Sequence, residues 1–389
     1  MADKNSLNTV NDTRSNLVEK TCKLYDDINQ INALYNSISR NGINDNLFFK
    51  LMHLNIRSLV HKSEDLLDYL NNFSFKYNII GISETWMNDD NIKLINITGY
   101  DFVGKNRSGK HGGGIGLYID NGITYKTRDD INSISSIELF SIEITNDCSN
   151  KNAIIVITYR PPTYDANMYL QQIEPVLQII SLENKLVYLI GDMNINLLDA
   201  DSNASKFQLQ RLLTSYNLST LITTPTRISL NKNSVIDNIF TSEPNAVELC
   251  GTQVCDLSDH IPIFIIVNMK SNRIKNHFLK EKLYSFTSER INRLNEYLIN
   301  MDWSNVLNCE NVNVGFQRFI EIFVKNFNEC CRISSARKIK KISRDKLWIT
   351  DDLKIMLNRK TKLYTKYLKN PNIENLIELK SIRQSCIKF

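Results

Sequence analysis

The chain has 389 residues, 42% hydrophobic and 23% charged, with a formal net charge of +5; these values exclude a disordered or low-complexity protein. No apolar run approaches the roughly 18 residues that a membrane span needs, and the opening MADKNSLNTV lacks a signal-peptide core, so the expectation is an intracellular chain, nuclear or cytoplasmic, with no membrane partner. Eight irregularly spaced cysteines, with Cys250 and Cys255 as a lone C-x4-C, argue against a disulfide framework or a zinc site.

In chain order, residues 1–46 are polar and Asn-rich. Within them Leu17, Thr21, Leu24, Ile28, Ile31, Tyr35 and Ile38 repeat at 4-3-4-3-4-3, the spacing of a helical seam. This heptad-like helix has two uses: self-association through residues 17–38, or packing of one apolar stripe on the body of the protein. Gly42 then ends it. From Leu47 onward, β-branched and aromatic runs predict strands at 47–54, 77–82, 113–119, 137–144, 153–159, 186–190, 235–240, 247–254 and 261–267. Helical spacing intervenes at 63–72, opened by a cap-like Ser63-Glu64, and at 166–182 and 205–216. Many strands with few helices predict two packed sheets with helices outside, over a domain of residues 47–268.

Beyond Asn268 the pattern is helical at 286–301, 312–331, 353–368 and from Glu374 toward Ile387, with Asn370-Pro371 breaking the last two apart. The charge concentrates here: Arg337–Phe389 holds 15 Lys/Arg against 5 Asp/Glu, leaving 32 against 37 in residues 1–336. A basic segment attracts polyanions and an acidic pocket attracts cations, so 269–389 is read as a helical basic connector; a solvated helical surface would carry the same charges. The helical spacing runs to the last residue without a cap, which reads as truncation.

Two polar strings stand directly against aliphatic runs: Gly191-Asp192-Met193-Asn194 after Leu186–Ile190, and Ser258-Asp259-His260 before Ile261–Val267. Burying such groups is tolerable only when they are paired, hydrogen-bonded or bound to a cation. Asp192 and Asn194, two apart on an extended segment, share a face and can share one phosphate or water; Gly-Asp and Asn are also ordinary turn formers. His260 beside Asp259 has the makings of a donor to phosphate, and Asp237, which ends a different apolar strand, is its expected orienting partner. Glu84 follows the apolar run Ile79–Ile82 and suits a hard cation, Mg²⁺ or Mn²⁺, although a lone Glu beside a Trp is more often a surface carboxylate.

Taken together and in this order, these strings resemble the endonuclease/exonuclease/phosphatase superfamily over about Leu47–Asn268, and within it the apurinic-type endonuclease domain of non-LTR retrotransposon, reverse transcriptase-associated proteins. The resemblance rests on Leu54-Asn55-Ile56-Arg57-Ser58-Leu59, Ser83-Glu84-Thr85-Trp86, Gly112-Gly113-Gly114-Ile115-Gly116-Leu117-Tyr118, Tyr159-Arg160-Pro161-Pro162 and Ser234-x-Ile236-Asp237. The stretch from Trp348 to Phe389 is similar to the basic connector preceding reverse transcriptase in those elements, and no Tyr-x-Asp-Asp string occurs.

The resemblance implies a four-layered α/β sandwich of two packed β-sheets flanked by helices, with a helical N-terminal extension and a helical basic C-terminal segment. It implies a Mg²⁺-dependent DNA endonuclease (Mn²⁺ as substitute) that nicks a phosphodiester bond to leave a 3′-hydroxyl. Glu84 would hold the metal, with Asn55 and Asp259 in its shell. Asp192 would align water, Asn194 and Tyr159 would contact phosphate, and His260, oriented by Asp237, would stabilise the pentacovalent phosphate. Asn55, Ser234 and Arg160 would face the DNA. Arg57 departs from many repair-type members, which carry an acidic residue two positions after the motif asparagine; this argues against a generic abasic-site enzyme. The alternatives are a superfamily phosphatase acting on another substrate and a catalytically idle element remnant that binds nucleic acid.

Overall fold

The computed structural model describes residues 22–42, 44–88, 95–107, 112–145, 152–199, 203–269, 287–309, 311–331 and 350–387. One sheet holds seven strands: β1 (Cys22–Tyr25), β2 (Phe48–Asn55), β3 (Ile79–Ser83), β4 (Tyr100–Lys105), β5 (Ile115–Asp120), β14 (Val247–Gln253) and β15 (Ile263–Asn268), in the order β1-β14-β15-β2-β3-β5-β4. The second holds β6 (Tyr125–Thr127), β7 (Glu138–Ile144), β8 (Ala153–Tyr159), β9 (Leu186–Asp192), β10 (Ser219–Thr220) and β13 (Asp237–Thr241), in the order β10-β13-β9-β8-β7-β6. A small hairpin, β11 (Arg227–Ile228) with β12 (Asn233–Ser234), stands apart.

Alternation along the strands builds the layers. On β2, Phe49 and Leu51 join Ile155, Ile157, Ile190 and Ile263 between the two sheets. Met52 and Leu54 point the other way, under helices α1 (Ile28–Ile38) and α2 (Leu59–Leu70). On the far side, Ile154, Val156 and Leu189 meet helices α4 (Ala166–Ser181) and α5 (Ala204–Ser215), with the short helix α3 (Asp129–Asn132) at the margin. Four layers result, helix–sheet–sheet–helix, which is the fold class expected.

Two expectations are corrected. The heptad seam is not one helix. Cys22–Tyr25 is a strand paired in parallel with Cys250–Gln253, and α1 begins only at Ile28 with Asp27 as its cap. Ile31 and Tyr35 are buried in the core of this same chain, so the apolar stripe that self-association would have used is turned inward; Leu17 and Thr21 lie outside the described residues. Helix α2 begins at Leu59, not at Ser63. Its first amide groups are met by tertiary partners, Ser58 N–H donating to Glu84 O (2.8 Å) and Leu59 N–H to Thr85 O (3.0 Å), so no local cap marks the start in sequence.

The chain forms two compact units, residues 1–276 with 350–389, and 277–349. Strand β1, helix α1 and the last two helices, α9 (Asp351–Lys369) and α10 (Ile373–Ile387), therefore belong to the sandwich unit. Tyr364, Tyr367, Leu368, Leu379 and Ile382 of these helices bury Val254 and Ile261, which flank the Ser258-Asp259-His260 string. The second unit consists of α6 (Ser288–Ile299), α7 (Ser304–Leu307) and α8 (Val312–Cys331), with Leu294, Cys330 and Cys331 at its centre. No helix among the described residues is long and apolar enough to cross a membrane. The described cysteines are free thiols.

Candidate active site at the sandwich rim

Four strand ends converge on one rim: β2 delivers Asn55, β8 Tyr159, β9 Asp192 and β13 Asp237. Parallel pairing of β8 with β9 sets Tyr159 opposite Asp192, and antiparallel pairing of β9 with β13 sets Asp192 opposite Asp237. The register depends on Gly191, whose φ is 147° and at which an added Cβ would sit 1.9 Å from the carbonyl oxygen of Thr158. A side chain there would force β8 and β9 apart.

Glu84 reaches the rim from the turn after β3. Its backbone has φ 54°, as does Trp86, a conformation that costs a non-glycine residue free energy and is held only by its surroundings. The support is the glycine triplet: Gly114 O accepts from Thr85 N–H and Gly113 O from Trp86 N–H. Gly112, Gly113 and Gly114 all have positive φ, so the triplet is the turn that cradles the glutamate. Lys110 and His111 lie outside the described residues.

The polar side chains form two hydrogen-bonded groups, a run through Asn55 and a His260–Asp237 pair. Asn55 Nδ2 donates to Glu84 Oε1 and to Asp192 Oδ2, both at 2.9 Å. Tyr159 Oη donates to Glu84 Oε1 at 3.1 Å and Trp86 Nε1 to Glu84 Oε2 at 3.2 Å. Asn194 N–H donates to Asp192 Oδ1 at 3.0 Å. His260 Nδ1 lies 2.8 Å from Asp237 Oδ2. Asn55, Asp192, Asp237 and His260 are all buried.

Electrostatics separate these groups. Burial, and then the adjacent Asp237, raise the Asp192 carboxyl well above its ordinary range, against His260 and Asn55, which favour the anion. Burial disfavours charge on His260, but Asp237, with Asp192 and Asp259 nearby, outweighs it and lifts the imidazole to about 9. The imidazolium is therefore the resting form at neutral pH and has a proton to give.

A divalent cation suits this donor set. The Asp192 and Asp237 carboxylates lie within 4.8 Å of one another, and Asp237 Oδ1 is buried without a hydrogen-bond partner. Among the described residues, no lysine or arginine forms an ion pair with Glu84, Asp192 or Asp237. Three carboxylates against one imidazolium leave negative charge that a cation would offset.

Of the expected metal set, Glu84 and Asn55 come together and Asp259 stands apart. Asp259 Oδ1 takes Arg57 Nη1 at 3.1 Å and Asp259 Oδ2 takes Arg227 Nη2 at 2.6 Å. Against burial, His260 and these arginines hold its carboxyl below the usual range. Arg160 is also placed differently from expectation. Its guanidinium donates to Met193 O and Asn194 O, both at 2.6 Å, and to Tyr164 O, so it props the loop after β9 rather than facing substrate. Ser234 sits on the small hairpin, its Oγ 3.5 Å from Arg227 O.

Two residues escaped sequence reasoning. His53 is fully buried, with Nε2 3.1 Å from Ser83 Oγ and Nδ1 3.9 Å from Asp237 Oδ1; burial pulls its imidazole down to about 4. The signal was present, because His53 is two positions before Asn55 on one strand and so shares its face. Arg227 carried no signal, since a lone arginine in a polar loop has none.

Two packed sheets with helices on both outer faces and an acidic, histidine-bearing rim define a phosphoesterase-type sandwich. The chain belongs to the endonuclease/exonuclease/phosphatase family, whose description matches residues 52–260; its members are hydrolases of phosphodiester bonds, typically dependent on a divalent metal. Among solved structures, the AP endonuclease LMAP from Leishmania major is similar at TM-score 0.50 and 15% identity, covering 58% of this chain and 89% of that one. The endonuclease domain of TRAS1, a telomere-specific non-LTR retrotransposon, matches at TM-score 0.46 and 16% identity, over 58% of this chain and 100% of that one. An AP endonuclease from Archaeoglobus fulgidus matches at TM-score 0.44 and 14% identity, over 57% and 99%. No curated protein matches the chain in sequence.

Proposed function

We propose that the protein is a Mg²⁺-dependent DNA endonuclease that hydrolyses one phosphodiester bond and leaves a 3′-hydroxyl. The observation that carries this reading is the unbroken run Glu84–Asn55–Asp192 beside Asp237–His260 at one rim. Glu84 with Asn55 would hold Mg²⁺, which supplies positive charge against the phosphate when bound. Asp192 accepts a proton from water, a task its raised pKa suits. His260, fixed by Asp237, donates to a non-bridging oxygen as charge builds there. Tyr159 and Asn194 line the phosphate, and Ser234 and Asn55 flank the strand. The water oxygen becomes part of a 5′-phosphate as the bond from phosphorus to the 3′-oxygen breaks.

Incubation of purified protein with supercoiled plasmid and Mg²⁺ tests this. Open circles should appear, a chelator should prevent them, and a polymerase should extend the new ends directly. Asp192→Asn and His260→Ala should each slow nicking by about a thousandfold or more. Intact plasmid, or variants that nick like the wild type, would overturn the reading.

A further inference from the structure

Beside the rim lies a groove of about 700 Å³ whose far wall is the α9–α10 hairpin, a part of the chain outside the family-matched residues 52–260. The volume is that of a ligand site, within the ordinary range of about 300–1,000 Å³. Its lining includes Arg57, Lys62 and Trp86 from the catalytic side and Lys360, Tyr364 and Arg383 from the hairpin. Four cations thus face two carboxylates, Asp256 and Asp259.

The placement of those carboxylates matters more than their number. Asp256 binds both Lys360 Nζ, at 3.3 Å, and the guanidinium of Arg383. Asp259 binds both Arg57 and Arg227. Each aspartate therefore pins two cations and leaves one positive charge in excess, held in place before any ligand arrives. Arg383 is held further by its stacking over the Tyr364 ring, 5.5 Å from Cζ to centroid. Cations fixed in this way lose little freedom when they meet a phosphate.

The groove abuts the catalytic rim. Trp86, on its wall, donates to Glu84, and Asp259 precedes His260 in the chain. A polymer with one ester at the rim would run on along the groove, and what two spaced basic stations recognise is a phosphate backbone.

We propose that the α9–α10 hairpin is the second wall of the substrate channel, with Lys360 and Arg383 gripping duplex DNA backbone beside the scissile bond. The proposal rests on the endonuclease reading for its direction but not for its test. The contact is sequence-independent, and it makes part of the basic C-terminal segment a component of the substrate site.

The experiment compares wild type with the triple variant Asp256→Asn/Lys360→Gln/Arg383→Gln, which removes both cations and the carboxylate they satisfy and so leaves no buried charge unpaired. Binding to a labelled 30-base-pair duplex is followed by anisotropy across a salt series, and nicking is followed in parallel. The duplex Kd and the nicking KM should rise about tenfold, with kcat within twofold, and the slope of log Kd against log salt should fall by about one to two. Ultraviolet cross-linking of bromodeoxyuridine-substituted duplex to the wild type should give adducts within 350–387, a readout that needs neither a folded variant nor nicking. Unchanged Kd and slope in the triple variant, or adducts confined to residues 52–260, would overturn the channel wall. Absence of nicking with hairpin adducts present would sink the endonuclease reading and leave the channel standing.

Discussion

Asp237 and Asp259 sit on either side of His260 and are held by opposite physics. Asp237 is buried at the end of a strand beside the Asp192 carboxylate, with the imidazoles of His260 at 2.8 Å and His53 at 3.9 Å. Asp259 is about a third exposed and carries two arginines. Inside the rim, charge is governed by desolvation and a few fixed hydrogen bonds; at the lip it is governed by screened ion pairs. The difference assigns labour: the interior sets protonation, and the lip sets attraction for a polyanion.

The sharpest way to break this comparison is Asp237→Asn. With the carboxylate gone, the His260 imidazole should fall well below about 9, because burial would then be opposed only by Asp192 and Asp259. NMR titration of the metal-free protein reads this directly, and nicking at pH 7 should drop by roughly a hundredfold or more. The linked stability has a definite sign. A folded-state pKa above the unfolded one gives stabilisation present in full below about 6.5 and lost as pH rises through about 9. The melting temperature of the wild type, relative to the Asn variant, should therefore decline between those values. A parallel course for the two proteins would contradict the interior assignment.

Asp259→Asn should do much less. Its ion pairs are part-exposed, so stability should change by about 1 kcal/mol or less by thermal melting. Duplex affinity should stay within a few fold at moderate salt, because the arginines remain. A collapse of nicking equal to that of Asp237→Asn would place Asp259 in the catalytic interior and erase the contrast.

The legible parts were those in which one residue and its neighbours carry the signal. Aliphatic runs ending in Asp192 and beginning after His260 announced strands with buried polar ends, and the sheets follow from that alternation. The pairing of His260 with Asp237 was also readable, because each abuts a different apolar run. Illegible parts depend on partners remote in sequence. Helix α2 is started by carbonyls at positions 84 and 85, so Ser63-Glu64 misled. Leu24 fits a heptad as well as it fits a strand, and only β14 decides between them. The arginines on Asp259 come from positions 57 and 227, a pairing that no local pattern encodes.

Strand β1 has a consequence for anyone who trims this molecule. It covers the outer edge of β14 by parallel pairing from Cys22 to Tyr25, while the α9–α10 hairpin shields Val254 and Ile261. Excision of the bare 47–268 stretch would strip both, leaving a naked sheet margin and wet aliphatic surface of the sort that drives filament growth and clumping. The smallest dependable working body is therefore larger than the family-matched stretch, and it is knit from segments nearly a full chain length apart.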